Sequence, residues 1–315
     1  MKKKRTWIIG LSLGGILLCG ALAGIGLLVF GLMRGQTSPA FGQAVAVIRV
    51  EGIIQAGEPP TDFFSGNVEG AYSDVIVRQL KQAGQSPAVK AIVLRVDSPG
   101  GGVVASDDIY RQVAATDKPV VISMGTTAAS GGYYISAPAD EIWANRHTLT
   151  GSIGVIIQFI NIEGFIEEYG IDATVIKSGA NKDTGSFFRA MTPEEKEIWQ
   201  TIIDESYNTF VQVIVDGRGL SEETVRKLAD GRVYTGRQAL ELGLIDHLGT
   251  LSQAIDRAAE LGGITGRPRI IDYSRSSSPF GGFRGAFHSP SPVEELQKLL
   301  RLNSGPTLMY LYTAP

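Results

Sequence analysis

Cysteine is almost missing from this chain. Among 315 residues there is one, Cys19. A single thiol can form no intrachain disulfide and no cysteine metal cluster. Histidine is scarce as well. His147, His247 and His288 stand apart and share none of the spacings that hold zinc, so no metal or other cofactor is expected. Net charge is only −3, which leaves no basic field for nucleic acid. The one strong cluster of like charge is Lys2, Lys3, Lys4 and Arg5. Long apolar runs are rare too. Beyond residue 34 the best is Ile153 to Ile160, too short to cross a membrane.

The single long run lies at the start. Trp7 to Met33 holds no charged side chain over 27 residues, enough to cross a hydrocarbon core of about 30 Å with some tilt. Four basic residues precede it and only Arg34 follows closely. The positive-inside bias then puts the N-terminus in the cytoplasm and everything after Arg34 outside. A cleaved signal peptide is the competing reading, but the run is longer than a usual apolar core and no clear small-residue cleavage site follows. Cys19 suggests lipidation, yet the bulky Leu17-Leu18 lead-in and the continuing apolar run oppose it. The expected organisation is a basic tip and transmembrane anchor over 1–33, a linker over 34–42 and a folded domain over 43–273. A Ser/Gly/Pro-rich tail over 274–315 then carries a short amphipathic stretch at Val293 to Leu302.

Within 43–273 the pattern alternates. Strands are predicted at Ala44 to Val50, Val89 to Val96, Pro119 to Met124, Glu141 to Ala144, Gly154 to Ile157 and Ala173 to Lys177. Helices are predicted at Ser73 to Gln85, Ala105 to Ala115, Asn161 to Tyr169, Ser221 to Leu228 and Leu251 to Leu261. Another begins at Thr192, a capping residue, with Pro193 in the first turn and Glu194 and Glu195 suited to the helix dipole. Strand, glycine turn, helix and strand in repetition imply an α/β fold with a mostly parallel sheet. Ligands of such sheets sit beyond the C-terminal ends of the strands, where the two glycine turns of this sequence fall.

Those turns carry the candidate chemistry. In Gly125-Thr-Thr-Ala-Ala-Ser130-Gly-Gly132, small neighbours allow a sharply presented serine and a close substrate backbone. The following residues, GGYYISA, look like a helix start whose N–H groups suit an oxyanion. An ordinary glycine turn with a capping serine fits the segment equally well. The run Asp97-Ser-Pro-Gly-Gly-Gly102 exposes backbone N–H groups but lacks the Lys-Ser/Thr pair of a phosphate loop. A serine nucleophile needs a base. No histidine stands in a distinctive context, which leaves a lysine with lowered proton affinity. Lys182 lies in a polar loop, Lys177-Ser-Gly-Ala-Asn-Lys182-Asp-Thr-Gly, but composition alone does not single it out.

Taken together, DSPGGG at 97–102, TAASGGYY at 127–134, TGSIGV at 150–155 and KSGANKD at 177–183 resemble the bacterial signal peptide peptidase family, SppA, in its short form. VYTGRQALELGLID at 233–246 fits as well, so the resemblance covers about residues 43–262. It implies a ClpP/crotonase-like α/β fold and a Ser/Lys dyad. Ser130 is then the nucleophile, Lys182 the general base and Ser152 a hydrogen-bonding partner that orients the lysine. Gly101 and Gly131 supply the oxyanion hole, although the choice of glycine within 100–102 stays open. The family also implies peptide substrates such as remnant signal peptides, and a homo-oligomeric ring with catalytic residues contributed across subunits. Asp183 adjoins the proposed base, and its carboxylate has to point elsewhere. An acyl-CoA enzyme of the crotonase type, a non-catalytic membrane scaffold and a peptidase of membrane-protein tails are the rival readings.

Overall fold

Three consecutive apolar runs build the centre of the molecule. In the computed structural model, which describes residues 42–59, 70–273 and 308–312, strands β1 (Ala44–Glu51), β4 (Val89–Ser98) and β6 (Val120–Ala129) lie side by side and parallel. Between β1 and β4 come the short β2 (Ile54–Gln55), β3 (Ala71–Tyr72) and helix α1 (Ser73–Gln85). Then β5 (Gly100–Gly102) and α2 (Val103–Ala114) precede β6. After β6 the chain forms α3 (Gly131–Tyr134), β7 (Glu141–Ala144), β8 (Leu149–Gly151) and α4 (Glu163–Glu168). Next are α5 (Pro193–Arg218), α6 (Glu222–Leu228), β9 (Val233–Thr235), α7 (Gly236–Glu241), β10 (His247–Leu248), α8 (Leu251–Leu261), β11 (Arg269–Asp272) and β12 (Met309–Leu311).

The main sheet runs β10-β7-β6-β4-β1-β11, and all of these neighbours are parallel. Such a sheet needs both faces covered, which is why its central strands read as continuous apolar runs. Ile92 and Leu94 of β4 face α1 and α2, with Leu80, Ile109 and Ile122 in the same cluster. Ala91 and Val93 face α8, with Val45, Val121 and Ala258. Each fully buried Val, Leu or Ile there contributes about 1.5–3 kcal/mol. A second sheet, β12-β5-β2-β3, stands beyond the end of β4.

Most local expectations hold, and the differences are informative. The Thr192 cap is a full capping box, with Glu195 returning the bond and Pro193 in the first turn. The glycine run at 100–102 is a short strand rather than an open loop, because β2 pairs with one edge and β12 with the other. Strand β6 continues five residues past Met124 because its end pairs with β8. The register of β4 on β6 shifts between Val96 and Ser98, so Val96 faces Met124 but Ser98 faces Ala128. This bulge re-aims the end of β6. Gly154–Ile157 forms only a single bridge, between Ile156 and Met309. Ala173–Lys177 is not a strand. Ile176 is 96% exposed, and among the described residues no neighbouring strand satisfies the backbone there. The expected anchor at 7–33 and most of the expected tail at 274–315 lie outside the described residues, as does Cys19.

Candidate active site

Ser130 occupies the joint between β6 and α3. Its backbone takes φ 52° and ψ −116°, and Ser152 follows at φ 48°. Among the described residues these two are the non-glycine positions with positive φ. Such a conformation costs on the order of 1–3 kcal/mol and persists only where the surroundings enforce it. Here they do. The Ser130 N–H donates to the Gly151 carbonyl at 2.7 Å, and the Ser130 carbonyl accepts from Tyr133 and Tyr134, both at 2.9 Å. The Thr150 hydroxyl donates to the Ala128 carbonyl at 2.7 Å, and the Ser152 N–H donates to the Arg232 carbonyl at 2.8 Å. Strand β8, held between β6 and β9, thus locks both serine-bearing turns at once.

The glycines follow from close approach. A Cβ on Gly131 would lie 3.1 Å from the Gly101 nitrogen and from the Gly100 Cα, and 2.7 Å from Ser106 Oγ. A Cβ on Gly100, where φ is 101°, would sit 2.6 Å from the Gly131 nitrogen and 2.1 Å from the Tyr310 carbonyl oxygen. Only bare backbone lets β5 and the start of α3 meet in this way. Ser106 was not singled out by sequence. Its hydroxyl is fully buried without a hydrogen-bond partner among the described residues, and nothing in its helical surroundings marks it in the primary structure.

Residues 308–312 lie along this joint as an extended segment. The Val103 N–H donates to the Leu308 carbonyl at 3.3 Å, and the Tyr312 N–H donates to the Pro99 carbonyl at 2.8 Å. Hydrogen-bonded pairs recur at every second residue of an antiparallel ladder, which makes Gly101 and Tyr310 the pair between them. On the other edge, Ile156 and Met309 exchange hydrogen bonds at 3.0 and 3.1 Å. The Tyr310 ring is fully buried, stacked on Tyr134 at 4.8 Å and tilted against Phe210 at 4.7 Å. Its hydroxyl donates to the Ser206 carbonyl at 2.9 Å. Burial pushes the Tyr310 phenol above its ordinary range, and the Asp107 carboxylate adds to the effect. Ser152 opens onto a cavity of about 540 Å³ lined also by Ile156, Asp204, Tyr207 and Leu311.

Ser130, Gly131, Gly101 and the Ser152 turn therefore converge, whereas Lys182 stands apart from them. Residues 171–182 are exposed throughout, and Lys182 Nζ makes no hydrogen bond or ion pair among the described residues. The turn that carries it closes through the Lys182 N–H and the Gly179 carbonyl at 3.2 Å. Asp183 is directed away from it. Arg189 grips that carboxylate with Nε at 2.9 Å and Nη2 at 2.8 Å, and Lys177 Nζ donates to it at 2.6 Å. The Arg189 guanidinium, and after it Lys177, hold the Asp183 carboxyl well below the usual carboxylate range. Arg189 also binds Glu195, through Nη1 at 2.9 Å and through Nη2. Glu195 is held low by Arg189 first and by the Thr192 N–H second. The tension between Lys182 and Asp183 is thus resolved by a partner outside the motif.

The chain is similar to known proteases over much of its length. The family model for peptidase family S49 matches residues 112–265, a span that holds Ser130, Ser152 and Lys182. The chain is 44% identical over 202 residues to a putative protease of Synechocystis, covering 64% of this chain and 73% of that one. It is 40% identical over 205 residues to a putative signal peptide peptidase SppA of Enterococcus faecium, covering 64% of this chain and 59% of the relative. A solved structure of a membrane-bound stomatin-specific protease aligns with a TM-score of 0.47 and 15% identity, covering 75% of this chain and 99% of its own. By the family model and the two sequence relatives, the chain belongs to peptidase family S49, as a serine peptidase of the SppA type.

Proposed function

We propose that this chain hydrolyses extended apolar peptides, remnant signal peptides among them, with Ser130 as nucleophile and Lys182 as general base. The carrying observation is the joint at Ser130, where an extended segment already pairs with β5 beside Gly101 and Gly131. Backbone pairing of that kind accepts many sequences, because main-chain hydrogen bonds give the affinity and side-chain pockets the preference. In the reaction Ser130 Oγ attacks the scissile carbonyl carbon while Lys182 Nζ takes its proton. The Gly101 and Gly131 N–H groups stabilise the oxyanion. The carbon–nitrogen bond then breaks, and the lysine returns the proton to the leaving amine. Water, deprotonated by the same lysine, releases the acyl group.

Lys182 serves the Ser130 of a neighbouring copy in this reading. Its exposure supports that, as does the apolar surface of its segment. Phe165, Tyr169, Ile171, Val175 and Ile176 are each at least half exposed, the kind of patch that a partner covers. The cavity beside Ser152 offers the incoming amine a hydroxyl partner and shelter from water. A ring of such copies, anchored by the charge-free run at 7–33, places the sites at the outer face of the membrane, where cleaved signal peptides remain.

A serine-reactive fluorophosphonate followed by mass spectrometry tests the dyad. Ser130 is expected to label in the wild-type protein and to lose labelling in Lys182→Ala. Labelling on another serine, or undiminished labelling in the lysine variant, overturns the assignment.

A further inference from the structure

The arm that carries Lys182 holds four charged side chains in one connected network, although the chemistry proposed above uses none of them. Lys177 and Arg189 both bind Asp183, and Arg189 also binds Glu195. Glu195 is 2% exposed and fixed in the capping box of α5. The network therefore ties the residue next to Lys182 to the first turn of a 26-residue helix. The Trp199 indole N–H adds a bond to the Thr184 hydroxyl at 3.2 Å, and its ring packs on Phe159 at 5.0 Å. The residues that follow Lys182 are thus fixed to α5.

The charges matter as much as the geometry. A carboxylate within a few ångströms of an ammonium favours the protonated amine and raises its pKa by about 1–3 units. A lysine base needs the opposite. Asp183 adjoins Lys182 in sequence, but two cations on its own segment neutralise it. With Glu195 included, the formal sum of Lys177, Asp183, Arg189 and Glu195 is zero. The other carboxylates on this arm are Glu163, Glu167, Glu168 and Asp172, and that of Glu163 accepts the Ala190 N–H at 2.8 Å. On the receiving side, the cavity beside Ser152 carries Asp204 and Asp230, and Asp230 is paired with Arg232.

We propose that Arg189, assisted by Lys177, is a positioning residue that keeps Lys182 available as a base by neutralising Asp183 and fixing its turn to α5. The inference rests on the reading of Lys182 as the general base. Removing the Arg189 charge leaves the network at −1, favours the ammonium and moves the acid limb of activity to higher pH. Removing the Asp183 charge leaves +1 and moves the limb to lower pH. Removing both returns the sum to zero. A merely structural network lowers the rate in every variant without opposite shifts.

The experiment follows the rate of Ser130 labelling by the fluorophosphonate against pH, on the full-length assembled protein. Arg189→Gln is expected to raise the midpoint by about one pH unit, with labelling at a fixed pH below that midpoint falling about tenfold. Asp183→Asn is expected to lower the midpoint, and Asp183→Asn with Arg189→Gln to restore it. Should Arg189→Gln fail to fold, Lys177→Gln carries the same change of charge while leaving the Arg189–Glu195 pair in place, and the same upward shift is expected. Midpoints that do not move, or that move together in all variants, overturn the inference. Lys182→Ala separates the two levels. If it labels with the wild-type pH profile, the base assignment itself fails. If it does not label while the other variants keep the wild-type midpoint, only the role of Arg189 fails.

Discussion

The proposed nucleophile and the proposed base belong to regions that are built by different means. Ser130 stands at the end of a largely buried parallel strand, and its turn is held by hydrogen bonds from β8 and α3 and by the glycine contact with β5. Lys182 stands on an exposed arm with one short helix, α4, and no strand. The Arg189–Glu195 pair, the Trp199–Thr184 hydrogen bond and one aromatic contact hold that arm to α5. The first region gains its precision from packing that is closed within the chain. The second is well defined at its root and open at its tip, as expected of a part whose remaining contacts come from another molecule. In the proposed assembly, this division ties catalysis to the contact between copies.

The strongest attack on that comparison is a mixing experiment. Ser130→Ala and Lys182→Ala are each expected to lose at least about a thousandfold in kcat/KM while remaining folded. Mixed oligomers of the two are expected to regain activity, since some interfaces then combine an intact serine with an intact lysine. No recovery in demonstrably mixed oligomers would confine the dyad to one chain. Next in size is Gly101→Ala. Its Cβ would lie 2.0 Å from the Ile54 carbonyl oxygen, so β5 has to shift. Peptidase activity is expected to fall by about 10²–10³-fold, the usual cost of losing one oxyanion donor, with about 1–3 kcal/mol of stability lost in denaturant titration. Unchanged activity would remove Gly101 from the hole.

Ending the chain at residue 307 gives a smaller effect. Residues 308–312 occupy the edge of β5 that the proposed mode of substrate binding requires, so the truncated protein is expected to turn over long peptides several-fold faster. A fall in rate would instead make β12 a working part of the fold. The smallest expected change is acid loosening of the lysine arm. The folded-state pKa values of Asp183 and Glu195 are both depressed, that of Glu195 to about 2. Their contribution to stability is therefore complete above the ordinary carboxylate range and is lost as pH falls below it. Trp199 fluorescence is expected to change between about pH 4 and pH 2, ahead of the core unfolding followed by circular dichroism. Coincident transitions would show that the arm and the core melt as one unit.

Much of the nucleophile region was legible because its signals are local. Continuous apolar runs mark parallel strands, small residues around Ser130 mark a tight turn, and Thr192 with Pro193 and Glu195 marks a helix start. The strand character of Gly100–Gly102 was not legible, because polyglycine has no strand preference and its partners, Ile54 and Tyr310, are distant in sequence. The apparent strand at Ala173–Lys177 misled for the converse reason. Its residues suit a pleated surface, but among the described residues no edge receives them.

The sequence by itself determined the α/β class, the capped helices and the residue types gathered into recognisable motifs, since these depend on local periodicity and on short-range hydrogen bonding. The tertiary structure alone decided which glycine faces the extended segment, that Ser130 and Ser152 are strained together by one strand, and that Arg189 rather than Lys182 takes the Asp183 carboxylate. Those outcomes depend on long-range register and on competition between charges for the same partner, which no reading of neighbouring residues can resolve.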